Sequence, residues 1–281
     1  MSQHAFRILN VFTRPGDRLS GNPLAVFEPS GISDPSLMQR LARQMNLSET
    51  TFLAASSKAN AHVRIFTPAY EMPFAGHPTL GSAQVARALG LGGDDLVLEM
   101  QAGLIPVRAE SSRWTLQAQP PTWREPEQTR PELARLVGLA ETDVAERPLW
   151  VNAGREQLIL PLKTEAAVRR AQPSREVFAR LETDTGPRQV FVFAETGPGE
   201  ILSRFFFPNG QAVLEDPATG SAHANLGGWL LAMGRPLPAR LLSSQGEYAA
   251  RPSLLSLEVD AEQRVFVSGE VVELARGVLE L

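Results

Sequence analysis

The chain has 281 residues, a formal net charge of −4 and no cysteine. The length is generous for one core and suits two of average size, and the missing thiols exclude disulfides, iron–sulfur and zinc–thiolate sites and cysteine catalysis. With 43% hydrophobic and 21% charged residues the composition is that of a globular protein, and the absence of a basic stripe speaks against a nucleic-acid partner.

Residues 5–12 alternate loosely and are rich in β-formers, which predicts a strand broken by Arg14-Pro15-Gly16-Asp17. Gly21-Asn22-Pro23 opens a second strand through Phe27. Apolar positions 37, 38, 41, 42 and 45 have helical spacing, with Asp34 as N-cap and Pro35 at the first helical position. Asn46-Leu47-Ser48-Glu49 ends that helix, and residues 50–54 return to a strand. A strand over 62–66 is stopped by Pro68, and a turn around Gly76-His77-Pro78 leads into a predicted helix over 79–89. Further strands are predicted at 96–100 and 114–118. The proline-rich stretch 119–130 reads as a linker. The second half is read as a helix at 131–139, strands at 157–160, 189–193 and 204–207, a helix at 223–233, and a strand-rich tail from 254. No run approaches the ~18 apolar residues of a membrane span. Residues 1–7 carry no basic-then-apolar leader pattern, so a cytoplasmic protein without a membrane partner is expected.

An internal repeat is the most informative feature. Arg64-x-Phe66-x-Pro68 precedes His77-Pro78-x-x-Gly81-Ser82-Ala83, and Arg204-x-Phe206-x-Pro208 precedes Asp216-Pro217-x-x-Gly220-Ser221-Ala222. The two copies lie about half a chain apart, too far for a solenoid repeat, which implies a duplicated domain. This spacing sets His77 against Asp216. In each copy a glycine-containing turn leads into a helix start, where unpaired backbone amides and the helix dipole form a cradle for an anion.

The motifs Gly21-Asn22-Pro23-Leu24-Ala25-Val26, Asn46-Leu47-Ser48-Glu49-Thr50-Thr51-Phe52, Phe74-Ala75-Gly76-His77-Pro78-Thr79 and Glu215-Asp216-Pro217-Ala218-Thr219-Gly220-Ser221-Ala222 together resemble the PhzF family of phenazine-biosynthesis-type isomerases with the diaminopimelate-epimerase fold. The resemblance runs from residue 6 to about 230, in order and in register. It implies an α+β fold of two pseudo-symmetric domains, each a curved, barrel-like sheet around a central helix, with a cleft between them. The expected division is 1–118 and 131–281, with the tail after about 265 packing back on the first domain. It also implies a homodimer that needs no cofactor and no metal.

By the same resemblance Glu49 is the proton-shuttling acid/base, and His77, Asp216 and Ser221 hold a small carboxylate-bearing substrate and assist. Gly76, Ser82, Gly220 and Asn22 complete the expected substrate contacts. The epimerase relatives use two cysteines, so their mechanism cannot operate in this chain. The residues themselves leave alternatives open. Asp216 before a helix is also a common N-cap arrangement, and His223 reads as packing against its helix. Arg64 and Arg204 suit the orientation of loop carbonyls better than a substrate clamp. A serine hydrolase built on Ser221 lacks the usual nucleophile elbow. A carboxylate-binding protein without catalysis would carry the same residues.

Overall fold

The computed structural model describes residues 2–29, 31–145, 147–179, 188–209 and 212–281. Two strands open the chain, β1 (Gln3–Thr13) and β2 (Asn22–Phe27), followed by α1 (Pro35–Met45), β3 (Glu49–Ala54), β4 (Ala61–Phe66), β5 (Glu71–Met72), α2 (Gly76–Ala88), β6 (Asp95–Met100), β7 (Gly103–Glu110) and β8 (Arg113–Gln117). Then come β9 (Thr122–Arg124), α3 (Arg130–Leu136), β10 (Leu149–Asn152), β11 (Glu156–Pro161), α4 (Glu165–Arg170), α5 (Arg175–Ala179), β12 (Val190–Gly197), β13 (Glu200–Asn209), β14 (Ala212–Asp216), α6 (Gly220–Ala232), β15 (Ala239–Gln245), β16 (Ser253–Val259) and β17 (Val265–Glu280). The chain divides into two units, one of residues 1–117 with 268–281, the other of residues 118–267. Residues 119–130, read as a linker, hold β9, which pairs with β10 inside the second unit.

In the first unit β1 pairs antiparallel with β2, β2 parallel with β3, β3 antiparallel with β4, and β4 parallel with β6. The hairpins β6–β7 and β7–β8 continue the order, β8 pairs with β17, and β17 returns to β1. Eight strands thus close into a ring, which leaves no open edge. Helix α2 packs against β1, β2, β3, β4, β6 and β8 and fills the ring. Its sequence explains how: ten of its thirteen residues are buried on every side, so it carries no polar face. Gly81 permits the close approach, because a Cβ there would meet Leu24 Cδ2 at 2.4 Å. Helix α1 makes the crossover that a parallel β2–β3 pair requires. Its Asp34 accepts from the Ser36 amide, Pro35 occupies the first turn, and Asn46 ends it in the left-handed region.

The second unit repeats the plan. Strand β10 pairs with β11, β11 parallel with β12 across α4 and α5, β12 antiparallel with β13, and β13 parallel with β15, which pairs with β16. Helix α6 packs on β9, β10, β11 and β16. It is thirteen residues long and buried all round, like α2. The fold is α+β, with two pseudo-symmetric, barrel-like sheets each wrapped around a central helix.

Candidate active site

Glu49 is the first residue of β3, opposite Leu24 of β2 in the parallel register. The left-handed Asn46 turns the chain off α1 and delivers Glu49 to the end of the barrel, with only 15% of its side chain exposed. His77 is the second residue of α2, with 7% exposed, and its Nε2 lies 3.3 Å from Glu49 Oε2. The ring also donates to the carbonyl of Pro23 on β2. Nε2 makes no hydrogen bond of good geometry, so the donor is Nδ1. Burial pushes the imidazole down to about 3, with the Pro23 carbonyl pulling weakly the other way, so the ring is neutral at physiological pH. A neutral ring protonated on Nδ1 turns a bare Nε2 lone pair toward a carboxyl oxygen. Two lone pairs at that distance repel, and one proton between them converts the repulsion into a hydrogen bond.

Helix α2 begins here without a side-chain cap, its N-cap being Ala75. The first amide to bond within the helix is that of Thr79, to Ala75, and Pro78 has none. Gly76 and His77 thus lead an uncapped helix start, the positive end of the dipole. Asn22, fully buried, opens β2 beside Pro23. The turn before it needs Gly21, whose φ is +84° and whose added Cβ would sit 2.6 Å from the Val11 carbonyl. Ser82 faces elsewhere. It is wholly buried further along α2 and bonds Thr51 Oγ1 at 2.9 Å, which ties the helix to β3.

In the second unit Asp216 ends β14 and is partly buried. The N-cap of α6 is Thr219, so Asp216 is not the cap. Its Oδ2 accepts the Thr219 hydroxyl at 2.5 Å. Gln245, fully buried on β15, donates to the Asp216 carbonyl and to Thr219 Oγ1 and accepts from the Thr219 amide. Gly220 and Ser221 open α6, and Ser221 Oγ accepts from Gln157 Nε2 at 3.0 Å. His223 is wholly buried, bonds the Thr219 carbonyl through Nδ1, and packs edge-on to Phe191.

The structure corrects the register of the repeat. Helices α2 and α6 start at Gly76 and Gly220, so Glu71-x-Pro73-x-x-Gly76-His77 matches Glu215-x-Pro217-x-x-Gly220-Ser221. His77 is therefore the counterpart of Ser221, and Asp216 that of Met72. Gly81 lies inside α2 and packs on Leu24, so it is not a helix-start cradle. The glutamates anchor the repeated arginines: Arg64 forms a two-pronged pair with Glu71, and Arg204 with Glu215. Arg204 also donates to the carbonyls of Val168, Arg169 and Ala171 at the end of α4, the carbonyl-orienting role. Glu49 has no acidic counterpart, since Gln189 stands in its place: Val190 pairs with Phe206 as Thr50 pairs with Phe66. Among the described residues the duplicated scaffold carries the buried carboxyl–imidazole pair once.

Gln157 and Gln245 were not singled out from the sequence, because nothing in a strand sequence marks which glutamine faces a helix start across the sheet. Among the described residues no group of three or more His, Asp or Glu side chains is arranged to hold a metal ion, and no helix is long and apolar enough to cross a membrane.

Two helix-centred barrel-like units, the first with a buried carboxyl–imidazole pair at an uncapped helix start, place the chain in the two-domain diaminopimelate-epimerase-like fold class. Comparison with known proteins agrees. The profile of a family described as phenazine biosynthesis-like protein, PhzC–PhzF, matches residues 9–277. An uncharacterized isomerase of Pasteurella multocida is 37% identical over 284 residues, covering 99% of this chain and 95% of the relative. A trans-2,3-dihydro-3-hydroxyanthranilate isomerase of Pseudomonas fluorescens is 35% identical over 294 residues, covering 99% and 100%. A PhzF-family phenazine biosynthesis protein of Bacillus anthracis superposes with a TM-score of 0.86 at 22% identity, covering 100% of both chains. The chain belongs to the PhzF family, and it is an isomerase.

Proposed function

We propose that the enzyme moves a proton on a carbon of a small carboxylate-bearing substrate, with Glu49 as the acid/base and without a cofactor. The observation that carries this reading is the Glu49–His77 pair, 3.3 Å apart at the uncapped start of α2. A general base must lie within hydrogen-bond reach of the proton it takes and must be able to return it. As a carboxylate, Glu49 removes the proton from carbon. Once protonated, it donates to the bare Nε2 of His77, which a neutral ring is poised to accept. His77 held near 3 is not an acid at neutral pH, so its part is to receive and orient the Glu49 proton.

The substrate anion is assigned to the amides of Gly76 and His77, where the charge developing beside its carboxylate meets fixed dipoles at no reorganisation cost. Asp216, Gly220 and Ser221 are proposed to hold the remaining polar groups, and Asn22 to support the His77 side of the site. A cytoplasmic homodimer is the proposed working form.

The substrate in the Pseudomonas fluorescens relative's name, trans-2,3-dihydro-3-hydroxyanthranilate, is a small amino-carboxylate of the right class and the first compound to try. Glu49→Gln keeps the shape and removes the acid/base, so turnover falls by at least about a thousandfold while binding persists. Near-normal turnover in that variant would sink the assignment.

A further inference from the structure

The polar groups behind Ser221 form a chain whose hydrogen directions are fixed from one end. The Ala153 backbone amide can only donate, and it donates to Asn225 Oδ1 at 2.7 Å. That settles the Asn225 amide, whose Nδ2 then donates to the Arg155 carbonyl and to Gln157 Oε1, both at 2.8 Å. With its oxygen used, Gln157 presents Nε2, which donates to Gln189 Oε1 and to Ser221 Oγ, both at 3.0 Å. Gln157 and Asn225 are each 1% exposed, so water does not compete for these bonds.

The Ser221 oxygen therefore already receives a hydrogen from the protein interior. Its own proton cannot point back at a nitrogen that is donating to it, so it turns outward. We propose that Gln157, locked by Asn225, is a positioning residue that turns the Ser221 proton toward the ligand, and so sets the start of α6 to favour a hydrogen-bond acceptor on the substrate. The proposal rests on the reading that Ser221 meets the substrate. The first unit has no such relay. Its counterpart of Gln157 is Leu24, an alkyl side chain against Gly81, while the Pro23 carbonyl receives a proton from His77. The two helix starts thus carry opposite polarity, one side chain presenting a lone pair and the other a proton.

The test uses calorimetric titration with trans-2,3-dihydro-3-hydroxyanthranilate in the Glu49→Gln protein, which binds without turnover. Ser221→Ala should weaken binding about tenfold, the loss of one hydrogen bond to the substrate. Gln157→Glu keeps the size of the side chain but offers only acceptors to Ser221, drawing its proton inward, and should cost as much. In the Ser221→Ala background Gln157→Glu should cost nothing further, whereas a merely structural role would lower affinity in both backgrounds. Asn225→Asp is the second variant, should Gln157→Glu unfold as judged by thermal melting. It turns the Gln157 amide over from one residue behind and should reproduce the loss. Binding that falls with Ser221→Ala but is untouched by Gln157→Glu and Asn225→Asp would overturn this proposal alone. Binding indifferent to Ser221→Ala, or absent altogether, would overturn the functional reading and this inference with it.

Discussion

Acidification from pH 7 to pH 5 perturbs two buried rings and little else that is held out of its ordinary range. His77 and His223 are shifted down from 6.5 to about 3 and about 4, in both cases chiefly by burial. The unfolded chain takes up a proton on each ring as the pH falls through about 6.5, and the folded chain does not until about 4 and then about 3. Their contribution to stability is therefore fully present above pH 6.5 and is lost progressively below it. Over the interval from pH 7 to 5 each ring accounts for about 2 kcal/mol, and the two together for about 4 kcal/mol. The carboxylates of Glu99, Glu132 and Glu273 are held below 4.5 and that of Asp260 below 3.8, so their losses begin only at lower pH. Urea unfolding at the two pH values measures the drop. The His77→Asn/His223→Asn variant keeps a donor in place of each Nδ1–H and should flatten the profile. If His77 were instead a cation paired with an ionised Glu49, its folded value would be raised and its contribution would grow on acidification. A wild-type profile that is flat between pH 7 and 5, or a double variant that keeps the full slope, would refute the reasoning about a neutral His77.

Other consequences concern the scaffold. Arg204→Met strands Glu215 and three carbonyls in a poorly hydrated site, and should cost about 3–5 kcal/mol in urea unfolding. Arg64→Met should cost clearly less, because Arg64 and Glu71 are 22% and 32% exposed against 9% and 12% for Arg204 and Glu215. Gly21→Ala forces a side chain into a left-handed turn against the Val11 carbonyl, a backbone atom that cannot step aside. A loss of about 2 kcal/mol or more is expected, with activity falling further because the turn sets Asn22 and Pro23.

Much of this was legible in the sequence, and the failures have local causes. The Asp34-Pro35 start of α1 and strands β1 to β4 follow from capping chemistry and alternation that tertiary contacts did not override. The start of α2 was read three residues late, because Gly76-His77-Pro78 has the composition of a turn. A proline in the first helical turn loses no hydrogen bond, so the helix begins at Gly76. That shift also misaligned the repeat, since Pro-x-x-Gly-Ser recurs five residues out of register with the helix starts. Strand β7 was missed because Pro106 and charged residues fill its outward positions, and β9 because it lies among prolines. Glu49 and His77 were found through motif likeness, and only the fold brings β3 and the start of α2 within 3.3 Å. The glutamines that orient Ser221 and Thr219 had no signal at all, since their role depends on which strand lies beside which helix.

The most direct measurement is isotopic. Wild-type enzyme incubated in D₂O with trans-2,3-dihydro-3-hydroxyanthranilate, the substrate proposed for it, should place deuterium at a single carbon of the product, and Glu49→Gln should place none during the same incubation. Equal deuterium incorporation by the two proteins would contradict the assignment of the proton to Glu49.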